Sequence, residues 1–296
     1  MLLNKRISIF FFVKQIRVDL ILIVAYTILT SMIRHFSTLH SLSIPLSIAA
    51  LLGTLISLLL AFRVSQSYER WWEARIVWGS IVNDSRTLLR QLKQFLPKDN
   101  PETATHLKAF AERQIIWVNV LGESLRKTKF SNKVQEYVNT NNLVGSNIPN
   151  LLLEKHAEEL AELSEKYQLN ENKQVQIDNT IVRLTEAMGK CERIKNTVFP
   201  RSYTVLIQFI IYVFITIFPF GLSEVGEVTE AILSFLIPLL FVAIEKTALI
   251  MQDPFENRPT DTPMTNLAQV IERNLNDVIG EETPASDSSV SSYYVM

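Results

Sequence analysis

The sequence predicts an all-α protein with four helices that cross a membrane and a helical domain in the cytoplasm. Two observations support this fold class. Of the 296 residues, 48% are hydrophobic and only 20% are charged, and long charge-free windows lie beside densely charged ones. Soluble globular domains usually carry about 25% charged residues. The segments between the apolar runs have the period of amphipathic helices and few strand signals.

Four segments approach the length of about 20 apolar residues that a helix needs to cross a bilayer. They are residues 20–36, 45–62, 202–223 and 231–251. Pro45 suits the first turn of a helix, because the N–H that proline lacks has no partner there in any case. We therefore assign the first two membrane helices to residues 20–62 and the last two to residues 204–251.

Two ionisable residues, Glu245 and Lys246, interrupt the fourth apolar segment. Ionisable groups inside a membrane often mark a functional site. Here the apolar run resumes after them, so we expect the helix to project out of the bilayer. On that interpretation the two side chains lie beyond the membrane and take part in ordinary salt links, with Arg63 or Arg70 as the partner of the glutamate.

The distribution of basic residues predicts the topology. Residues 1–19 hold four basic residues and one acidic residue, and we interpret them as an amphipathic segment on the membrane surface. The loop between the third and fourth segments holds three glutamates and no Lys or Arg. Cytoplasmic loops carry an excess of Lys and Arg. We therefore expect a multi-pass protein of the cell (inner or plasma) membrane, with both termini and residues 63–203 in the cytoplasm.

Residues 63–203 are expected to form a helical domain and not a linker. Helix-breaking residues such as Pro97, Pro101 and Gly145 separate its amphipathic stretches. The candidate helices are residues 63–95, 104–127, 151–167 and 172–197. Residues 252–279 follow the last membrane helix. The Ser-rich, polar residues 280–296 are expected to be disordered.

Composition argues against several classes of function. The net charge of −1 gives no basic surplus for nucleic acid. Cys191 is the only cysteine, so neither an intrachain disulfide nor a cysteine-based zinc site can form. The four histidines have no metal-ligand spacing. Because no nucleophile, base or metal constellation is visible, we expect no enzyme, no catalytic residues and no cofactor.

A cluster of aromatic and basic residues follows the second membrane segment. Its members are Arg63, Arg70, Trp71, Trp72, Glu73 and Arg75. Tyr and Trp favour the membrane–water boundary, and arginines bind lipid phosphates or carboxylates well. Physical chemistry alone is equally consistent with an ordinary aromatic belt next to cytoplasmic arginines.

The order of these residues resembles the signature of the bestrophin family, which comprises pentameric ion channels whose best-known members conduct chloride. Three later stretches agree in order: Cys191-Glu192-Arg193-Ile194, Pro219-Phe220-Gly221 and Asp253-Pro254-Phe255. The resemblance covers roughly residues 7–277. It implies a bestrophin-like homopentamer around one central pore, with membrane lipid and small monovalent ions as partners.

The resemblance also implies which residues line the pore. Carried across by distance from the Arg-Trp-Trp motif, the neck consists of Thr54, Leu58 and Phe62, which are one helical turn apart on one face. Narrow apolar rings gate by dewetting. The alternative is that this face simply packs on another helix. The family's cytoplasmic constriction maps to Val175 or, next, Ile177, and the alternative there is ordinary core packing.

The permeating ion is less clear from the sequence. The family default is chloride, and the alternatives are a monovalent cation (sodium) channel of the same architecture or a non-conducting membrane scaffold or regulator. Animal bestrophins are activated by calcium, which takes 6–8 oxygen ligands. The matching stretch here keeps only Asp253, Glu256 and Asp261 as carboxylates and includes Arg258. We therefore expect no metal site and no calcium-dependent gating of the animal type.

Overall fold

The computed structural model describes residues 9–36, 44–197, 199–222 and 225–281 of the chain. In these ranges it contains nine α-helices and no strand, which confirms the predicted all-α class. The predicted disordered tail lies outside the described residues from residue 282 onward. The chain divides into two compact units. We call residues 5–70 with 198–252 the membrane unit, and residues 71–197 with 253–296 the polar unit.

The membrane unit contains four long apolar helices. They are α1 (Ile9–Phe36), the first half of α2 (Leu46–Phe95), α7 (Arg201–Gly221) and α8 (Glu227–Met251). Each of the four is long and apolar enough to cross a membrane. As the sequence predicts, α2 begins directly after Pro45. In contrast to the expected division of the chain at residue 19, α1 runs without a break from Ile9 through Asp19.

Small and apolar side chains hold the membrane unit together. Its core includes Ile56 and Leu60 of α2 and Phe214 of α7. At Gly53 a Cβ atom would lie 3.6 Å from the Phe214 ring and 3.9 Å from the Phe241 ring. Both distances are ordinary van der Waals contacts, so an alanine would also fit where α2 packs on α7 and α8.

The polar unit is built around α3 (Pro101–Arg126). The other helices of the unit are the second half of α2, α4 (Asn132–Thr140), α5 (Ile148–Lys166), α6 (Glu171–Asn196) and α9 (Met264–Ile279). Helix α3 packs against α4, α5, α6 and α9. Trp78, Phe110 and Trp117 are fully buried in the resulting core.

Two helices of the polar unit were not predicted. Helix α4 has only nine residues and buries only Val134 and Val138, so its periodicity is too short to recognise. Helix α9 lies in the segment after the last membrane helix. It buries Met264, Ala268 and Ile271, a spacing typical of an amphipathic helix. That spacing is visible in the sequence and could have identified α9.

A buried histidine joins α3 to α5 in the polar unit. His156 is fully buried and stacks on Phe110 with ring centroids 4.9 Å apart. Its Nδ1 lies 3.3 Å from Arg113 Nη1, and Arg113 Nη2 donates to Glu159 Oε2 over 2.6 Å. Burial, and secondarily the Arg113 charge, lower the pKa of His156 well below its usual value. His156 is therefore neutral in the folded protein.

This burial predicts that the polar unit loses stability in acid. In the unfolded chain a histidine has a pKa of about 6.5, so below about pH 6.5 the unfolded state binds a proton that the folded state does not. We expect His156→Gln to remove a pH dependence of up to about 1.4 kcal/mol per pH unit. The free energy of unfolding of the full chain in detergent, measured between about pH 7 and pH 5, tests this.

The matched control is His106→Gln. His106 Nδ1 lies 3.1 Å from Glu159 Oε1, and the histidine is only partly buried. We expect His106→Gln to retain the wild-type loss of stability in acid. Equal pH dependence in the wild type and in His156→Gln would show that His156 does not control acid stability.

Candidate pore-lining face

One face of α2 is exposed along the membrane unit, and all three predicted neck residues lie on it. Thr54 is exposed, and Leu58 and Phe62 are 70% and 54% exposed. Spaced three or four residues apart, the exposed residues form one continuous stripe. We call it the exposed stripe; its members are Leu51, Thr54, Leu58, Phe62, Ser65 and Glu69.

The opposite face of α2 is buried. Its residues recur with the same helical spacing and are Ala49, Ile56, Leu60, Arg63 and Ser67. This face supplies α2's contribution to the core of the membrane unit. Among the described residues, no other helix of the chain covers Thr54 or Leu58, and the choice between pore lining and helix packing stays a prediction. Phe62 touches α7 only with its edge, at 5.9 Å from the Tyr203 ring.

The buried face carries a charged residue, Arg63. This side chain is completely buried, and its Nη1 lies 3.3 Å from Glu245 Oε1 of α8. Arg63 Nη2 donates to Thr204 Oγ1 of α7 over 3.0 Å, and Gln208 Nε2 of α7 donates to the same Glu245 oxygen over 3.3 Å. Charges removed from water are costly unless paired and hydrogen-bonded. These bonds pair the charge of Arg63 and join α2, α7 and α8, while its buried Nε has no hydrogen-bond partner among the described residues.

The salt link between Glu245 and Arg63 confirms the pairing expected from the sequence. Lys246 does not share it, because its Nζ instead lies 3.3 Å from Asp19 Oδ2 of α1. Sequence reasoning did not identify Thr204 or Gln208, which are polar residues in an otherwise apolar helix. That isolation is the signal that could have drawn attention to them.

The remaining residues of the aromatic and basic cluster have separate roles. In the membrane unit, Arg70 Nε donates to the Gln252 carbonyl over 3.0 Å. In the polar unit, Trp71 Nε1 donates to the Thr260 carbonyl over 2.8 Å. Trp72 is exposed and stacks on Trp71 with centroids 6.3 Å apart.

The last two members of that cluster lie further along α2. Glu73 accepts a hydrogen bond from Arg193 of α6, within the polar unit. Arg75 is half-buried. Arg63 binds a carboxylate, one of the two partners expected for these arginines, and Arg70 donates to a backbone carbonyl of its own chain.

The two candidates for the second constriction differ in exposure. Val175 of α6 is 57% exposed, whereas Ile177 is fully buried in the polar core. Residues two positions apart lie on nearly opposite sides of a helix. Ile177 therefore points into the core with Ile181 and Leu184, and its assignment as a constriction residue is wrong. Val175 stays a candidate.

Basic groups or backbone amides already bind the three carboxylates of the post-membrane motif. Lys195 Nζ pairs with Asp253, and Arg258 Nη2 lies 2.7 Å from Glu256 Oε2. Asp261 is buried and accepts from the Arg258 amide over 2.9 Å. Burial raises the pKa of Asp261 to about 6. Among the described residues, no three His, Cys, Asp or Glu side chains are grouped to hold a metal ion.

Comparison with known proteins identifies the family. Residues 7–277 match the family of bacterial and fungal bestrophin proteins. The chain therefore belongs to the bestrophin family, as its motifs indicated. A solved structure of a bacterial bestrophin homologue from Klebsiella pneumoniae superposes with a TM-score of 0.82 and 29% identity, over 90% of this chain and 100% of that chain.

Two relatives have names that state an activity. The voltage-dependent anion channel-forming protein YneE of Escherichia coli K12 is 30% identical over 241 residues, which cover 80% of this chain and 78% of that protein. The voltage-dependent anion channel-forming protein RSc3414 of Ralstonia nicotianae is 27% identical over 249 residues, covering 82% and 80%. Both are similar to this chain over most of its length.

The buried pair predicts a distinctive result for double substitution. Glu245→Leu alone leaves a buried, uncompensated Arg63 and should lower stability by about 3–5 kcal/mol. Arg63→Met combined with Glu245→Leu should recover most of that loss, because no unpaired charge stays buried. Denaturation of the protein in detergent micelles measures both.

The control is Lys155→Met, which breaks the exposed pair with Glu158. Exposed pairs contribute only about 0–1 kcal/mol, so this variant should unfold close to the wild type. If the double variant is as unstable as Glu245→Leu, an unpaired buried charge is not the cause of the lost stability.

Proposed function

We propose that this chain forms a homopentameric channel that conducts small monovalent ions, with chloride as the principal ion. The observation that carries the proposal is the exposed stripe of α2, with Leu58 and Phe62 exposed in the membrane unit. On this proposal five copies of α2 surround a shared axis. Thr54, Leu58 and Phe62 then form three stacked rings, each one helical turn, or about 5.4 Å, from the next.

The chemistry of the rings supports a hydrophobic neck. Leu and Phe offer no hydrogen bond to an ion or its water, and narrow apolar constrictions gate by dewetting. The Thr54 hydroxyl bonds to its own helix at the Ala50 carbonyl over 2.9 Å. Threonine is smaller and more polar than a bulky apolar residue. The opening inside the Thr54 ring is therefore wider and wetter than one lined by larger apolar residues. Val175 is our candidate for a second ring, on the cytoplasmic side.

Chloride is supported by the names of the relatives, two of which are anion channel-forming proteins. A monovalent cation channel is the second candidate, and an exposed carboxylate on the same face, Glu69, favours it.

The proposed orientation in the cell membrane places both termini and the polar unit in the cytoplasm. The basic residues near the N-terminus support that orientation.

Recording from the purified full chain in planar lipid bilayers tests the function. We expect discrete currents whose reversal potential, under asymmetric sodium chloride, lies toward the chloride equilibrium potential. A reversal potential close to the sodium equilibrium potential would show that the channel conducts cations and not chloride. Silent bilayers containing correctly assembled protein would favour a scaffold and reject the channel. Mass determination in detergent, corrected for bound detergent, tests the pentamer.

Leu58→Ala tests the neck. Removing most of the side chain from each ring widens and wets the narrowest apolar zone, so single-channel conductance or open probability should rise. The matched control is Leu240→Ala, which makes the same change at an exposed position of α8. Equal currents in the wild type and in Leu58→Ala would exclude Leu58 from the neck, whatever Leu240→Ala does.

A further inference from the structure

The exposed stripe contains one charged side chain among apolar and neutral polar ones. Glu69 lies seven residues after Phe62 on α2, and its side chain is exposed. Seven residues are nearly two full helical turns, so Glu69 lies on the same side of the helix about 10 Å further along the axis. Of the residues that form the exposed stripe, Glu69 is the charged one.

The neighbours of Glu69 orient its carboxylate without neutralising it. Gln66 Nε2 donates to Glu69 Oε2 over 3.2 Å, and Ser65 Oγ donates to Oε1 over 3.5 Å. Both donors are uncharged and belong to the preceding turn of the same helix. The carboxylate is therefore held against α2 by two neutral donors.

The nearby arginines do not offset this charge on the exposed stripe. Arg63 lies on the opposite, buried face and pairs with Glu245 at 3.3 Å. Arg70 directs its Nε to the Gln252 carbonyl at 3.0 Å. This part of α2 is rich in arginine, yet the charge that its exposed stripe presents is negative.

We propose that Glu69 limits the anion selectivity of the channel. The proposal rests on the proposed function, because it requires the exposed stripe to face the conducting axis. Each protomer then contributes one carboxylate to a ring just beyond the Phe62 ring, on the side toward the polar part of α2. Rings of Asp or Glu favour cations and oppose anions, so the Glu69 ring lowers the chloride permeability that the neutral neck would allow.

The decisive measurement is the chloride-to-sodium permeability ratio from reversal potentials in asymmetric sodium chloride. Because several like charges act on an ion at short range, we expect Glu69→Gln to raise this ratio by about threefold or more, with a larger effect at low salt. Glu69→Asp should keep the wild-type ratio. The matched control is Glu136→Gln, which removes the same charge from an exposed position on α4 and should leave the ratio unchanged.

A cysteine variant gives a second, independent test on a single preparation. Cys191, the only native cysteine, is buried, and burial raises its pKa to about 12, so thiol reagents should not modify it. In Glu69→Cys, a negatively charged methanethiosulfonate should restore the wild-type ratio, and a positively charged one should shift it further toward chloride. If Glu69→Gln does not assemble, this comparison alone tests whether the charge at position 69 affects the permeability ratio.

The outcomes separate the two proposals. If the wild type conducts but neither Glu69→Gln nor the charged reagents change the permeability ratio, the role of Glu69 is wrong and the channel proposal stands. If the assembled wild type does not conduct, the channel proposal fails, and the role of Glu69 fails with it.

Discussion

The buried pair of Arg63 and Glu245 is the constraint on which the arrangement of the membrane unit depends. A guanidinium inside an apolar unit must reach a carboxylate, and Glu245 of α8 lies 3.3 Å away. Meeting that requirement fixes the rotation of α2 about its own axis. Because Arg63 points inward, Leu58 and Phe62 point outward. The exposed stripe thus follows from an interaction on the other side of the helix.

The same constraint places the residues that make structural contacts and the residues of the exposed stripe on different sides of α2, although they are neighbours in the sequence. Arg63 pairs with Glu245, and Arg70 and Trp71 each donate a hydrogen bond to a backbone carbonyl. These contacts are structural. The exposed stripe keeps apolar residues, together with the carboxylate of Glu69. A count of basic residues near the end of a membrane segment therefore does not predict the charge on its exposed face. Side-chain direction around the helix decides that charge.

Much of the fold could be predicted from the sequence because its signals are local. Apolar segments long enough to cross a membrane, Pro45 and the helical periodicity located most of the helices, and α2 ends at Phe95 as expected. Helix α4 was missed because two buried residues make no readable pattern. For the site, the predicted neck residues Thr54, Leu58 and Phe62 lie on one exposed face, and their role in a neck stays a prediction. Ile177 was assigned wrongly because spacing alone does not say which side of α6 meets the core.

The sequence by itself determined the helical class, the apolar segments and the membership of a family of membrane proteins, since each depends on residues near one another in the chain. The tertiary structure decided which face of each helix is buried. It paired Arg63 with Glu245 and Lys246 with Asp19, and it left Glu69 exposed. The physical reason is that burial and charge pairing depend on partners far apart in sequence, which helical periodicity cannot specify.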